Sequence, residues 1–69
     1  MDYRKLKGRI KEVYDRHEDF AVALGISPTS LSLKLNNKRE WTSGEIATAC
    51  NLLNVPLTEA HLYFFRVKV

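Results

Sequence analysis

The sequence predicts an all-α protein: a compact five-helix bundle built around a helix-turn-helix, with a short extended C-terminal tail. Three observations predict this. Apolar residues recur at three- and four-residue spacing in successive stretches, the mark of helices with one buried face. Cap residues stand where such stretches begin, notably Ser27-Pro28 and Thr42 with Glu45 three residues on. Gly25 sits in a tight turn between two short helical stretches.

The 69 residues are expected to form a single domain, residues 1–69. A domain this small buries roughly 60% of its unfolded surface, so its stability is modest and a partner would add to it. One cysteine excludes an intrachain disulfide and points to a reducing compartment. The longest apolar run, Phe20 to Leu24, is far short of a membrane span. The basic N-terminus lacks the apolar segment of a signal peptide. The expectation is a cytoplasmic protein with no membrane partner. The formal charge of +3 is uneven. Residues 1–39 carry nine Lys and Arg against five Asp and Glu, a balance of +4, while residues 40–69 carry two against three. A basic first half fits an anionic partner, although an ordinary soluble surface gives a similar count.

The first helix is expected over Asp2–Tyr14. Asp2 is its N-cap, Tyr3, Leu6, Ile10, Val13 and Tyr14 make its apolar stripe, and Arg4, Lys5, Lys7, Arg9 and Lys11 its solvated faces. The second is expected over His17–Leu24, with Glu18 and Asp19 in the first turn, where the helix dipole favours them. Arg16 is a poor N-cap for it, and Gly25 ends it. The third is expected over Pro28–Asn36, capped by Ser27 and closed by Asn36 and Asn37. The fourth is expected over Ser43–Leu53. Thr42 and Glu45 form a capping box there, and Trp41 and Ile46 a hydrophobic staple. The fifth is expected over Thr58–Phe64, after the break at Pro56, with Thr58 as its cap. The end, Phe65-Arg66-Val67-Lys68-Val69, alternates apolar and basic residues as a strand does.

The third helix contains three leucines at spacing two, Leu31, Leu33 and Leu35. At about 100° per residue, Leu31 and Leu35 fall within roughly 40° of each other and make one core stripe. Leu33 then points away, with Thr29, Ser30, Ser32, Asn36 and Asn37 around it. Lys34 lies on the near flank, its stem along the core and its amine reaching outward.

Phe20 to Ser27 meets the physical needs of a helix-turn-helix. Ala21 is small where helices cross, Gly25 permits the turn, Ile26 plugs the corner and Ser27 caps the next helix. The stretch FAVALGISPTSLSLKLNNKR resembles the phage repressor and Cro-type, or XRE, helix-turn-helix family, with the motif over residues 17–38 and the wider likeness over about Tyr3–Phe64. Lys34 stands where that family has an apolar residue, and Arg16-His17 replaces its usual start of helix two.

The resemblance implies a lambda repressor-like DNA-binding domain. Its third helix, about 28–36, would enter the major groove of a double-stranded DNA operator. Thr29, Ser30 and Ser32 suit base edges or phosphates, and Leu33 suits a thymine methyl. Asn36 and Asn37 suit adenine, phosphate or the helix exit. Ser27 and Pro28 open a helix end that favours phosphate, and Lys38 and Arg39 would neutralise backbone charge. His17 either touches phosphate, as the corresponding family residue does, or lies in a solvated first turn. Proteins of this type bind as dimers, with half-sites about 34–36 Å apart. Phe65, Val67 and Val69 are the candidate homodimer contact.

Cys50 reads as core packing, without a partner that would make it a nucleophile. His17 and His61 lack ligand spacing, so no metal is expected. No phosphate loop, catalytic triad or paired-carboxylate site occurs, so neither an enzyme nor a cofactor is expected. The leading expectation is a phage-type, sequence-specific transcriptional regulator, closer to Cro than to a full repressor. The alternative is a protein-binding module on the same fold, an anti-repressor or antitoxin, in which Leu33 is an apolar knob for another protein.

Overall fold

The structure, a computed structural model, describes residues 3–64. Helix α1 spans Arg4–Tyr14, α2 His17–Leu24, α3 Pro28–Leu35 and α4 Ser43–Leu52. A 3-10 turn over Leu57–Glu59 leads into α5, Ala60–Phe64. Among the described residues there are five α-helices and no strand, as the sequence predicts. Asp2 and the tail with Phe65, Val67 and Val69 lie outside the described residues.

α1 packs across α2 and α5, and α2 across α3 and α4. The core gathers Leu6 and Ile10 from α1, Phe20 and Ala21 from α2, and Leu31 and Leu35 from α3. Ala49, Cys50, Leu53, Val55, Ala60 and Phe64 complete it from the second half of the chain. Ala21 is fully buried at the crossing it was expected to occupy. Burial pushes the Cys50 thiol above its ordinary pKa, which suits packing rather than reactivity. Val13 departs from the predicted stripe and is 38% exposed. The chain turns into α2 after a two-residue link, and Tyr14 fills the corner instead, its ring 5.5 Å from that of Phe20.

Asp15 carries that link at φ 66° and ψ −41°. The Arg16 N–H donates across it to the Tyr14 carbonyl at 2.6 Å, a γ-turn seldom adopted by a non-glycine residue. Helices α2, α3 and α4 then end alike. Gly25 (φ +88°), Asn37 (φ +61°) and Asn54 (φ +57°) each take the left-handed conformation. The N–H of the following residue reaches back five positions: Ile26 to Ala21 O at 3.0 Å, Lys38 to Leu33 O at 2.8 Å, Val55 to Cys50 O at 2.8 Å. This Schellman closure satisfies carbonyls that a helix end leaves open. It also turns Ile26 and Val55 onto the core.

Two helix starts depart from expectation. α1 begins at Arg4, with Tyr3 at its N-cap position and no side-chain cap. α5 begins at Ala60, so Thr58 is not its cap. Pro56 sets a tight entry, the Glu59 N–H donates to the Pro56 carbonyl at 2.8 Å, and the 3-10 turn takes up the residues assigned to the helix. The capping box of α4 forms as predicted. Thr42 Oγ1 accepts the Glu45 N–H at 3.1 Å, and Glu45 Oε1 accepts the Thr42 N–H at 2.9 Å.

Lys34 is the largest departure. Its stem lies along the core, but the amine turns inward and the residue is 4% exposed. Nζ donates to Glu45 Oε1 at 2.8 Å and to the Glu40 carbonyl at 2.9 Å, and lies 5.7 Å from the centre of the Trp41 ring. An ion pair, a carbonyl and an aromatic face together replace the water the ammonium loses. The Lys34 hydrogen bond, then the backbone bond from Thr42, hold the Glu45 carboxyl below its ordinary pKa. The family's apolar contact at this position is thus replaced by a polar one, and the rotation of α3 is fixed. Leu31 and Leu35 face inward, while Leu33 lies half-buried outside the core cluster.

Candidate functional site

The candidate site is the face made by the start of α2, the length of α3 and the loop to Arg39. Ser27 caps α3, and its Oγ accepts the Ser30 N–H at 3.1 Å. The Ser27 hydroxyl also meets Ser30 Oγ at 3.1 Å. Arg39 folds back from the loop and donates from Nη1 to the same Ser30 Oγ at 3.0 Å. Asn36, the C-cap of α3, turns its side-chain amide onto Ser32, with Nδ2 2.9 Å from Ser32 O and 3.3 Å from Ser32 Oγ. Asn37 serves as the left-handed residue of the helix closure. Thr29, Ser32 and Lys38 are exposed, as are Pro28 and His17.

The structure brings His17, Pro28, Ser32 and Asn36 together along one groove and Ser27, Ser30 and Arg39 into one hydrogen-bonded chain, so several candidates are bonded to one another. Ser32 and Asn36 form a second such chain. Pro28 has no N–H and the Ser30 N–H is capped, which weakens the helix start as an anion site. The one lysine of α3 is turned inside.

Three further residues stand out that are not among the sequence candidates. Val22 stands on α2 and is 73% exposed. It lies roughly opposite the Phe20–Leu24 stripe on a helical wheel, a signal present in the sequence. Lys7 of α1 and Glu18 of α2 line a groove of about 290 Å³ together with His17 and the α3 residues Pro28, Leu31, Ser32, Leu35 and Asn36. Glu18 stands in the first turn of α2, and its place on the rim depends on how the helices pack.

Among the described residues no group of three or more His, Cys, Asp or Glu is placed to hold a metal ion. Among the same residues no helix is long and apolar enough to cross a membrane.

A family model described as protein of unknown function (DUF739) matches residues 1–67, and the chain belongs to that family. Among solved structures, the chain is similar to the solution structure of the modulator of repression (MOR) of the temperate bacteriophage TP901-1 from Lactococcus lactis. The two are 40% identical with a TM-score of 0.83, over 99% of this chain and 92% of that one. No curated protein matches. The fold is that of a phage regulatory protein.

Proposed function

We propose that this DUF739 protein modulates phage repression by binding a protein, the phage repressor, through the face of α2 and α3. The observation that carries this reading is the state of α3 itself. Its single lysine is buried against Glu45, its serines and Asn36 are bonded locally, and Val22 of the preceding helix stands exposed. A helix that reads bases presents polar or methyl-bearing side chains free to reach a groove, and here Ser30, Ser32 and Asn36 are held within the chain. A partly apolar face with several of its polar groups bonded within the chain suits a protein surface. Glu18 on the rim also opposes a phosphate backbone. The similarity to a modulator of repression supports the same reading, and the proposed action is cytoplasmic binding, not catalysis.

Purified chain titrated against the phage repressor, in a calorimeter at two salt concentrations, tests this. The expected result is a salt-resistant complex, and no DNA shift by the chain alone at low salt. A specific, strongly salt-dependent shift of operator DNA without repressor refutes it.

A second reading keeps DNA as the partner. It is favoured by exposed Thr29 and Lys38, by Arg39 and by the basic first half of the chain. In that reading a homodimer, joined through Phe65, Val67 and Val69, places α3 in two half-sites. Selection from a random DNA pool at two salt concentrations would then return a palindrome. Lys38→Ala would weaken binding to all sequences, and Thr29→Ala or Leu33→Ala would change sequence preference. Deleting residues 65–69 would lower the solution mass.

A further inference from the structure

We propose that the groove along α3 is the seat for a helix of the partner. The helix would insert an apolar side chain over Leu31 and Leu35, with an acidic residue facing Lys7 and a basic residue facing Glu18. This rests on the protein-partner reading above and assigns its contact.

The α3 residues in the groove are Pro28, Leu31, Ser32, Leu35 and Asn36. Their spacing is i, i+3, i+4, i+7 and i+8, a single stripe of the helix. The groove thus runs the length of α3, about 12 Å at 1.5 Å per residue. Two turns of a partner helix match that length, with anchors three or four residues apart.

The groove is small. About 290 Å³ stands at the low edge of the span of small-molecule sites, roughly 300–1,000 Å³. It suits one large apolar side chain and a neighbour. The floor offers Leu31, Leu35 and the Pro28 ring. Ser32 and Asn36, on the α3 side, are bonded to each other through the Asn36 amide N–H, which leaves the Asn36 Oδ1 and the Ser32 hydroxyl proton open to a partner group.

Charge sets the polarity. Lys7 comes from α1, and Glu18 from the start of α2. The two carry opposite signs on one groove. A polyanion gains at Lys7 and loses at Glu18. A helix carrying one charge of each sign gains at both, which makes the pair a determinant of partner and orientation.

The test measures repressor affinity for the wild-type chain and for Ser32→Trp, Lys7→Glu and Glu18→Lys, each checked for folding by thermal melting. Ser32→Trp fills the groove from an exposed helix position and should weaken binding by roughly 30-fold or more. Each charge reversal should weaken it by about 10-fold, with a changed salt dependence. If Ser32→Trp does not fold, the two reversals still decide. Wild-type binding that none of the variants alters overturns the groove and leaves the protein-partner reading standing. A loss in Ser32→Trp with no response to either reversal overturns the assigned partner charges. Failure of the wild-type chain to bind the repressor overturns both.

Discussion

Replacing Glu45 with alanine should destabilise this protein more than replacing Lys34 with methionine, although both break the same 2.8 Å ion pair. The difference lies in what each change leaves behind. Glu45→Ala strands an ammonium whose side chain is 5% exposed, with the Glu40 carbonyl and the Trp41 face as its remaining partners. Removing one member of a buried pair costs about 3–5 kcal/mol. The same change removes half of the capping box of α4. Lys34→Met fills the same volume with an apolar chain, as the resembling family does at this position. It leaves Glu45 with 23% of its side chain in water and still bonded to Thr42. The cost should be about 1 kcal/mol, as for a volume-conserving core change. A domain of this length has roughly 3–10 kcal/mol of stability, at about 0.05–0.15 kcal/mol per residue. Glu45→Ala therefore removes a large share of it. Urea unfolding followed by helical circular dichroism at pH 7 measures both. Equal losses, or a larger loss for Lys34→Met, refute the reasoning that the lysine is the stranded partner.

Three further outcomes follow from the same structure. Because the folded Glu45 carboxyl lies below its ordinary 4.5, the stability it adds is complete above that value. It is lost as pH falls through the lower folded value, so Lys34→Met/Glu45→Gln should flatten the urea midpoint between pH 7 and 3 relative to wild type. Alanine at Gly8, inside α1 with open space around it, should stabilise by about 0.5–1 kcal/mol. Alanine at Gly25, at φ +88° and also in open space, should destabilise by about 1–2 kcal/mol. Thermal melts with the same sign for both would contradict the backbone account. Cys50 is 1% exposed with a raised pKa. Its labelling by a thiol reagent should therefore be slow and should follow unfolding across a urea series, and rapid labelling of the native protein would show that the core is open there.

Much of the fold was legible because its signals are local. Gly25 marks the end of α2, Ser27-Pro28 the start of α3, and the capping box the start of α4, each within a few residues of sequence. The leucine spacing of α3 places Leu31 and Leu35 inside without any structure. Other features depend on packing. Lys34 finds Glu45 eleven residues away and Glu40 six away, partners that no helical period reveals. The 3-10 entry to α5 reflects a choice between two helical bond patterns that propensity scarcely separates. The groove needs residues from three helices, so Lys7 and Glu18 read singly as ordinary surface charges. The turn motif points to the face but not to its partner, because the inward turn of Lys34 and the bonding of Asn36 to Ser32 emerge only in the folded chain.

Glu45 Oε1 accepts from both the Thr42 N–H and Lys34 Nζ. A single oxygen atom thus joins a local event, the winding of α4's first turn, to a tertiary one, the seating of α3. Opening either one costs the shared oxygen a partner, so the two are coupled through Glu45. On the proposed function, a contact surface braced by this coupling would meet its partner largely ordered. Association then loses little free energy to ordering the backbone, and differences among partners fall mainly on how long each complex lasts.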